Sequence, residues 1–360
     1  MSKLKLKTIP HPSPKSVEER AALMTNPGFG KVFSDHMVTI VWSEGRGWHS
    51  AEVKARAPFQ LDPACAVLHY AQEIFEGMKA YRMADGSLAL FRPEDNARRF
   101  NESADRMAMP QLPVELFVEA VEALVAIDAA WVPKDEGSFY LRPFMFASEA
   151  FLGVRPAAEY TFCVIGSPVG AYFKGGYKAV TVWVSDEYTR AAPGGTGAAK
   201  CGGNYAGSLV AQAEAIRNGC DQVVFLDAAE RRWIEELGGM NIFFVMDDKT
   251  IVTPPLGTIL PGITRASIMQ LASEAGYAVK EEPYSFDQWQ ADAESGRLRE
   301  AFACGTAAVI AGIGTVKFSG GQFAIGNSGD GEVTSQLRAG LVGVQRGATA
   351  DAHDWMKTLN

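Results

Sequence analysis

A single lysine in a glycine-rich segment is the feature that most constrains this chain. Between Gly194 and Tyr205, Lys200 is accompanied by five glycines, and Tyr205 follows it five residues later. Glycines permit positive φ angles and close approach of the backbone to other atoms, so such a lysine is held in position. Lysine amines form Schiff bases with carbonyl groups. The segment predicts either a lysine that binds pyridoxal phosphate (PLP), with Tyr205 hydrogen-bonded to the ring, or a flexible loop with an incidental lysine.

Composition and charge argue against several other classes of protein. The chain contains no Gly-Lys-Ser or Gly-Lys-Thr, so the phosphate loop of nucleotide-binding proteins is not expected. A formal net charge of −8 argues against nucleic acid or an anionic membrane as a partner. No apolar run is long enough to span a bilayer. With 360 residues, of which 47% are hydrophobic, we expect two domains with sizeable cores.

The cysteines and the N-terminus predict a cytoplasmic protein. Five cysteines are scattered, and no two are spaced as C-x-x-C, which indicates buried thiols in a reducing compartment rather than a disulfide framework. From Met1 to Lys15 there is no apolar signal core, so we interpret this stretch as a short mobile arm and do not expect secretion. The five histidines lie far apart and give no metal-ligand pattern, so no metal is expected.

The hydrophobic pattern predicts a mixed α/β fold. Strands at 37–42 and 49–56 flank a glycine-containing turn, and Pro93 suits the first position of a helix that follows a strand at 88–92. Apolar residues at helical spacing predict an amphipathic helix over 113–130. We also predict strands at 139–146, 160–165, 179–185, 223–226 and 240–246, buried strands within 301–316, and helices at 205–218, 263–275 and 335–346.

A glycine- and proline-rich passage from Gly166 to Gly176 is the candidate domain linker. We therefore predict a small α/β domain over 1–170, a linker over 171–177 and a larger domain over 178–360.

A PLP enzyme also needs a phosphate cradle and an acid that faces the pyridine nitrogen. The stretch from Leu260 to Arg265 precedes a helix whose free N–H groups would bind phosphate, although an ordinary turn capped by Thr264 explains it too. A glutamate between Trp233 and Asn241 would keep the pyridine nitrogen protonated, or would be an ordinary solvated acid. Arg99 would pair with phosphate or simply cover its own helix.

Taken together and in this order, these signals resemble the branched-chain amino acid aminotransferases, which are fold type IV PLP enzymes with a D-amino acid aminotransferase-like fold. The resemblance runs from about Gly28 to Trp355. The stretches that carry it are Phe29-Gly30, Ser34-Asp35-His36-Met37, His69-Tyr70, Phe75-Glu76-Gly77-Met78-Lys79-Ala80-Tyr81, Leu90-Phe91-Arg92-Pro93, Tyr140-Leu141-Arg142-Pro143, Pro168-Val169-Gly170-Ala171-Tyr172-Phe173, Lys200-Cys201-Gly202-Gly203-Asn204-Tyr205, Glu236-Leu237-Gly238-Gly239-Met240-Asn241, Leu260-Pro261-Gly262-Ile263-Thr264-Arg265 and Gly305-Thr306-Ala307.

The resemblance implies roles for individual residues. Lys200 would bind PLP as a Schiff base and carry the proton between the substrate Cα and the cofactor. Glu236 would face the pyridine nitrogen, and Tyr205 the ring hydroxyl. The phosphate would be held by Arg99, Ile263, Thr264 and Thr306, and Arg190 matches an arginine near the cofactor. The substrate pocket would be lined by Phe29, Tyr70, Phe75, Tyr140, Arg142, Leu152, Val154, Tyr172, Gly239 and Ala307.

The implied activity is transamination between L-leucine, L-isoleucine or L-valine and 2-oxoglutarate. The family is homodimeric and borrows residues from the partner subunit, at positions that Tyr70, Leu152 and Val154 match. There are two departures from the family pattern: Ala308 and Ala311 stand where some members have a redox C-x-x-C, and Gly239 stands where some relatives have a hydroxyl residue, so one contact to the substrate carboxylate is not expected.

Three alternatives stay open at this point. Two are other fold type IV enzymes, a D-amino acid aminotransferase or an aminodeoxychorismate lyase, and the third is a non-catalytic PLP-binding homologue. The stretch from Tyr140 to Pro143 favours the branched-chain enzyme, and intact Lys200, Glu236 and Tyr205 argue against a non-catalytic protein. For Phe29, Phe75 and Tyr172, plain core packing is the alternative to a role in the pocket.

Overall fold

The structure is a computed structural model that describes residues 4–134, 136–170 and 178–359. The predicted linker 171–177 lies outside the described residues, and Tyr172 lies within it.

The chain packs into two units. The first comprises Met1–Lys174, Ala199–Gly202 and Val344–Asn360, and the second comprises Gly175–Ala198 and Gly203–Gly343. The short segment Ala199–Gly202, which carries Lys200, thus belongs to the first unit, as does the C-terminal segment Val344–Asn360. The domain boundary predicted from the sequence places both segments in the second domain.

Strands and helices are mixed along the chain, which confirms the predicted α/β class. The strands are β1 (Lys7–Thr8), β2 (His36–Ser43), β3 (Gly47–Ala55), β4 (Glu73–Phe75), β5 (Met78–Arg82), β6 (Leu88–Phe91), β7 (Ser138–Ala147), β8 (Glu159–Val169), β9 (Val180–Ser185), β10 (Gln222–Leu226), β11 (Ile234–Leu237), β12 (Asn241–Met246), β13 (Thr250–Thr253), β14 (Ala278–Glu281), β15 (Leu298–Gly305), β16 (Val309–Phe318), β17 (Gly321–Ala324) and β18 (Met356–Thr358). The helices are α1 (Val17–Met24), α2 (Val67–Tyr70), α3 (Pro93–Arg106), α4 (Val114–Ile127), α5 (Gly202–Arg217), α6 (Ile263–Glu274), α7 (Phe286–Ser295) and α8 (Glu332–Arg346).

The first unit is built on a sheet of nine strands in the order β1-β3-β2-β8-β7-β5-β6-β18, with β4 beside β7. Its strands pair antiparallel, apart from the parallel pair β1–β3. Antiparallel sheets commonly bury one face and leave the other for polar side chains. Strand β7 shows this alternation, because Phe139 and Leu141 lie in the core whereas Tyr140 and Arg142 lie on the opposite face.

Helices α3 and α4 supply the core of the first unit. Phe100 of α3, Phe117 of α4 and Phe162 of β8 are fully buried, and their ring centroids lie 5.3, 5.6 and 5.7 Å apart. Aromatic rings of this size dominate the apolar area that a core buries. These contacts fix α3, and with it Arg99 and Ser103, against the strands of the same unit.

The second unit is built on another sheet of nine strands, in the order β11-β10-β9-β16-β15-β12-β13-β14, with β17 beside β16. Strand β9 is parallel to both β10 and β16, and α5 connects β9 to β10. On α7, the fully buried Trp289 packs against Phe244 (5.3 Å) and Phe323 (5.7 Å), which closes the core over β12 and β17.

Most of the predicted elements are confirmed. Strands β2 and β3 form the expected hairpin, Pro93 opens α3, and positive φ angles at Gly219 and Gly276 follow the ends of α5 and α6. The apolar run 301–316 consists of two antiparallel strands, β15 and β16, which are joined by a tight turn.

Three element boundaries differ from the prediction because distant side chains decide them. Helix α5 begins at Gly202, whose N–H donates to the carboxylate of Glu73 on β4. Helix α8 begins at Glu332, and the carboxylate of Glu300 accepts the N–H groups of Val333 and Thr334 in its first turn. The prediction of a linker from Gly166 is wrong for residues 166–169, which belong to β8. The Phe139 ring occupies the space that a Cβ at Gly166 would need, so this glycine serves strand packing.

Within the described ranges, no helix combines the length and the apolar character needed to cross a membrane.

Candidate active site

Three hydrogen bonds hold the backbone around Lys200 inside the first unit. The Lys200 N–H donates to Ser103 Oγ (2.9 Å), and the Lys200 carbonyl accepts from the Phe75 N–H (3.0 Å). Two residues later, the Gly202 N–H donates to the Glu73 carboxylate, whose oxygen fills the space that a Cβ at Gly202 would need. The glycine-rich segment is therefore fixed at Lys200 by two side chains and one backbone N–H group that lie far away in sequence.

The Lys200 side chain begins a continuous group of aromatic and cationic side chains. Its Nζ lies 4.8 Å from the ring centroid of Phe75, and the Arg142 guanidinium lies 4.7 Å from the same ring. Arg142 Nη2 donates to Tyr140 Oη at 2.9 Å, and the Tyr140 ring lies 5.0 Å from the Phe29 ring. The structure thus brings together five of the residues that were predicted from the sequence.

Arg142 retains hydrogen-bonding capacity in this group. Its Nε is buried and has no hydrogen-bond partner among the described residues. A guanidinium carries five N–H donors in a planar fork, which matches a carboxylate in a bidentate pair. An orphaned, partly buried donor beside two aromatic rings therefore suits a ligand that is apolar along its length and anionic at its end.

Three further predicted residues of the first unit are exposed. Tyr70 at the end of α2, Leu152 and Val154 are 39, 65 and 89% exposed. The Tyr70 hydroxyl donates to the Leu152 carbonyl, so these two residues lie together. Exposed side chains could contact a partner subunit, and that these three residues do so stays a prediction.

Arg99 is buried in an ion pair that the sequence analysis did not foresee. Its Nε and Nη2 donate to the two oxygens of Glu76, each at 2.8 Å, and both side chains are almost completely buried. A buried charge requires such a partner. Glu76 lies inside the Phe75–Tyr81 stretch that carries the family resemblance, and this was the only sign in the sequence that Glu76 could belong to the site. The phosphate-binding role of Arg99 stays a prediction.

In the second unit, Glu236 is surrounded by hydrogen-bond donors. Its Oε1 lies 2.7 Å from Arg190 Nη1 and accepts the Leu260 N–H at 3.1 Å, and its Oε2 accepts from Asn241 Nδ2 at 3.2 Å. Both members of the pair Arg190–Glu236 are buried. These donors replace the water that burial removes from the carboxylate. The sequence named both residues but did not show that they pair.

Glu235, the other acid of the same strand, has different surroundings. It accepts a hydrogen bond from the Thr258 hydroxyl, and its Oε2 has no hydrogen-bond partner among the described residues. Burial raises the pKa of Glu235 above its ordinary value, and the Thr258 hydrogen bond and the Arg190 charge oppose this shift. Consecutive residues of a strand point to opposite faces, so the two glutamates are not interchangeable.

The turn after β11 gathers more of the predicted residues of the second unit. Leu237 N–H donates to the Met240 carbonyl at 2.9 Å, which closes the turn around Gly239. A Cβ at Gly239 would lie 3.9 Å from the Tyr205 ring, and one at Gly305 would lie 3.6 Å from the Gly239 carbonyl. The start of the loop that contains Thr306 and Ala307 therefore lies beside Gly239, and Tyr205 is also its neighbour.

Helix α6 begins next to the same acid. Asn241, which donates to Glu236, also donates to the Leu260 carbonyl at 3.0 Å, and its side-chain oxygen fills the space that a Cβ at Gly262 would need. No side chain among the described residues caps the N-terminus of α6, which opens with Ile263 and the buried Thr264. Free N–H groups at a helix N-terminus bind phosphate.

The donor set of the second unit fits a phosphorylated, nitrogen-containing ring such as PLP. Glu236, whose carboxylate is held by several donors, lies on β11 next to the turn whose Gly239 neighbours Tyr205, and it accepts the N–H of Leu260, which precedes the uncapped start of α6. Within the first unit, the backbone of Lys200 is held by hydrogen bonds, and its side chain carries a primary amine, the group that forms a Schiff base with PLP.

Comparison with known proteins agrees with this chemistry. Residues 73–316 match the family model described as amino-transferase class IV. The chain is 59% identical to a protein of Streptomyces coelicolor named "Probable branched-chain-amino-acid aminotransferase", over 97% of each chain. It resembles the crystal structure of the Escherichia coli branched-chain amino acid aminotransferase, with a TM-score of 0.73 and 29% identity over 89% of this chain and 99% of that one.

A third similar protein is known in its PLP-bound form. The branched-chain amino acid aminotransferase of Thermobaculum terrenum, crystallised in the PLP form, has a TM-score of 0.70 and 25% identity, over 89% of this chain and 98% of that one. Because the family model covers more than half of the chain and the relatives span nearly all of it, the chain belongs to the class IV aminotransferase family.

Proposed function

We propose that this protein is a PLP-dependent aminotransferase that exchanges the amino group between L-leucine, L-isoleucine or L-valine and 2-oxoglutarate. The observation that carries the proposal is the group formed by Lys200, Phe75, Arg142 and Tyr140, in which a fixed amine lies beside an apolar wall and an arginine. Relatives named for this activity support it, at up to 59% identity over nearly the whole chain.

PLP, when bound, supplies an electron sink for the carbanion that forms at the substrate Cα. Lys200 Nζ would hold PLP covalently through its amine and, when released, would take the proton from the substrate Cα as a general base. Its backbone hydrogen bonds to Ser103 and Phe75 fix the point of the chain from which the side chain extends, which reduces the entropic cost of positioning the amine.

Glu236 would face the pyridine nitrogen of bound PLP and would keep it protonated. Arg190, Leu260 N–H and Asn241 hold its carboxylate, so one oxygen is oriented without reorganisation when charge develops. The uncapped start of α6, with Ile263 and Thr264, would hold the phosphate through backbone N–H groups. We assign Arg99, Arg190, Tyr205 and Thr306 to the same cofactor.

The pocket must accept two kinds of side chain in turn. The rings of Phe75, Tyr140 and Phe29 form the apolar wall for a branched aliphatic side chain. Arg142, whose Nε has no hydrogen-bond partner among the residues described, binds the distal carboxylate of glutamate or 2-oxoglutarate. The remaining pocket residues proposed here are Tyr70, Leu152, Val154, Tyr172, Gly239 and Ala307.

We further propose a homodimer that works in the cytoplasm. The exposed Tyr70, Leu152 and Val154 support the dimer, because a partner subunit would cover them. All five cysteines are free thiols and buried, which supports a reducing compartment. Light scattering after gel filtration should give twice the mass of one chain, and a monomer at micromolar concentration would contradict the dimer.

Half-reactions of the purified, PLP-loaded protein test the activity. L-leucine and L-glutamate should each convert the bound cofactor to its amine form, which is read by absorbance, whereas D-alanine should not. Conversion by D-alanine alone would favour a D-amino acid aminotransferase. A stable absorbance band with no conversion by any amino acid would indicate a non-catalytic PLP-binding protein.

A further inference from the structure

The Glu73 carboxylate contacts the segment that carries Lys200. Glu73 Oε1 accepts the N–H of Gly202, and this oxygen occupies the space that a Cβ at position 202 would need. Gly202 is the first residue of α5, so the carboxylate also lies at a helix N-terminus, where negative charge is stabilising.

Glu73 is also connected to the substrate-binding group. It lies on β4 two residues before Phe75, and alternate residues of a strand share a face. The Phe75 ring contacts both Lys200 Nζ and the Arg142 guanidinium. Burial raises the pKa of Glu73 above its ordinary value, whereas the Gly202 hydrogen bond and the Arg142 charge lower it. The carboxylate therefore lies within electrostatic reach of Arg142.

We propose that Glu73 is a positioning residue for the reaction, which fixes the Lys200 segment through Gly202 and partly balances the positive charge of Arg142. This inference rests on the proposed transamination and adds to it a residue that does not itself touch the substrate. Glu73 thus contacts the segment that carries the amine of Lys200 and lies within electrostatic reach of Arg142, which we propose binds the distal carboxylate.

Two substitutions separate the two roles of Glu73. Glu73→Gln keeps an oxygen that can accept the Gly202 N–H but removes the charge that faces Arg142. The glutamate KM should fall about threefold, because Arg142 then attracts the distal carboxylate without competition. With L-leucine, kcat should stay within twofold of wild type.

Glu73→Ala removes both the acceptor and the charge. The Gly202 N–H then loses its partner, and the Lys200 segment is free to shift. We expect kcat to fall about tenfold with both amino acids. The absorbance of the lysine-bound cofactor changes with pH, and the midpoint of that change reports the surroundings of Lys200 Nζ. This midpoint should shift in Glu73→Ala, whereas in Glu73→Gln it should stay within about 0.3 pH units of the wild-type value.

Glu52→Gln is the matched control. Glu52 lies on β3 of the same unit, is part-exposed and pairs with Lys54 at 3.0 Å. It should leave KM, kcat and the pH midpoint unchanged.

The wild-type half-reactions are measured first, so that failure of the proposed function is seen separately. If wild type converts L-leucine and L-glutamate while both Glu73 variants match it in KM, kcat and pH midpoint, the inference is overturned. Should Glu73→Ala fail to fold, the glutamate KM of Glu73→Gln decides, and an unchanged value overturns the inference. If wild type does not transaminate, the pH midpoint of the bound cofactor alone tests Glu73.

Discussion

Replacing Arg142 by alanine should change which amino acid the enzyme prefers. In the structure, the guanidinium lies over Phe75, contacts Tyr140 Oη at 2.9 Å and has an Nε without a hydrogen-bond partner among the described residues. Glutamate presents a carboxylate to these donors, whereas leucine presents only methyl groups. The loss should therefore be larger for the glutamate half-reaction than for the leucine half-reaction.

The magnitude follows from the contacts. A hydrogen bond to a charged group contributes about 1.5–3 kcal/mol, and the partial exposure of Arg142 extends the lower end of this range, which gives roughly 1–3 kcal/mol. That range corresponds to about a 5- to 150-fold loss in kcat/KM for glutamate. Leucine loses only the cation–π support of the Phe75 ring, about 0.5–1 kcal/mol, and should stay within about fivefold of wild type.

Single-turnover kinetics with both amino acids, in wild type and variant, provide the assay. Arg142→Lys keeps the charge but loses the planar fork, so it should recover part of the glutamate activity. Tyr140→Phe removes only the hydroxyl that Arg142 contacts and should have a smaller effect. Equal losses for glutamate and leucine would refute the reasoning and assign Arg142 a structural role, such as fixing Tyr140.

Three further predictions concern single residues. Lys200→Ala should abolish transamination while PLP still binds through its phosphate, and turnover within tenfold of wild type would exclude Lys200 as the catalytic amine. Glu236→Gln should lower kcat by about 10² or more, and Glu235→Gln should be nearly silent; the reverse result would assign the pyridine contact to Glu235. Burial, with a smaller effect from Arg346, lowers the pKa of Lys79 to about 7. The unfolded chain then binds more protons between this value and the ordinary lysine pKa, so wild-type stability should rise with pH across that interval. Lys79→Met should be more stable than wild type near neutral pH, by at most about 5 kcal/mol in the free energy of unfolding, and this difference should shrink toward pH 10. Urea unfolding of both proteins at several pH values measures the difference. A difference that does not change with pH would show that Lys79 stays protonated in the folded protein.

Local sequence signals located much of the fold. The β2–β3 hairpin and the start of α3 were predicted because turn glycines and a proline act through their own backbone conformation. The starts of α5 and α8 were not, because Glu73 and Glu300 cap them from positions that are remote in sequence.

The candidate site shows the same division. The sequence named Lys200, Glu236, Arg190 and Arg142, since a reactive amine, an acid and arginines are recognisable by residue type and order. It did not show that Arg190 pairs with Glu236, or that Arg99 pairs with Glu76. Such pairs depend on which strands and loops meet, and sequence spacing does not determine that.

The sequence by itself therefore determined which reactive groups this chain carries, namely a lysine in a glycine-rich segment and an acid that are candidates for binding the cofactor, together with its mixed strands and helices and its family resemblance. These follow from residue identity and from periodicity along the chain. The tertiary structure alone decided that the four residues Ala199–Gly202 pack with the first unit, where Ser103, Phe75 and Glu73 hold them. The physical reason is that buried N–H and C=O groups must find partners, and those partners are chosen by proximity in space.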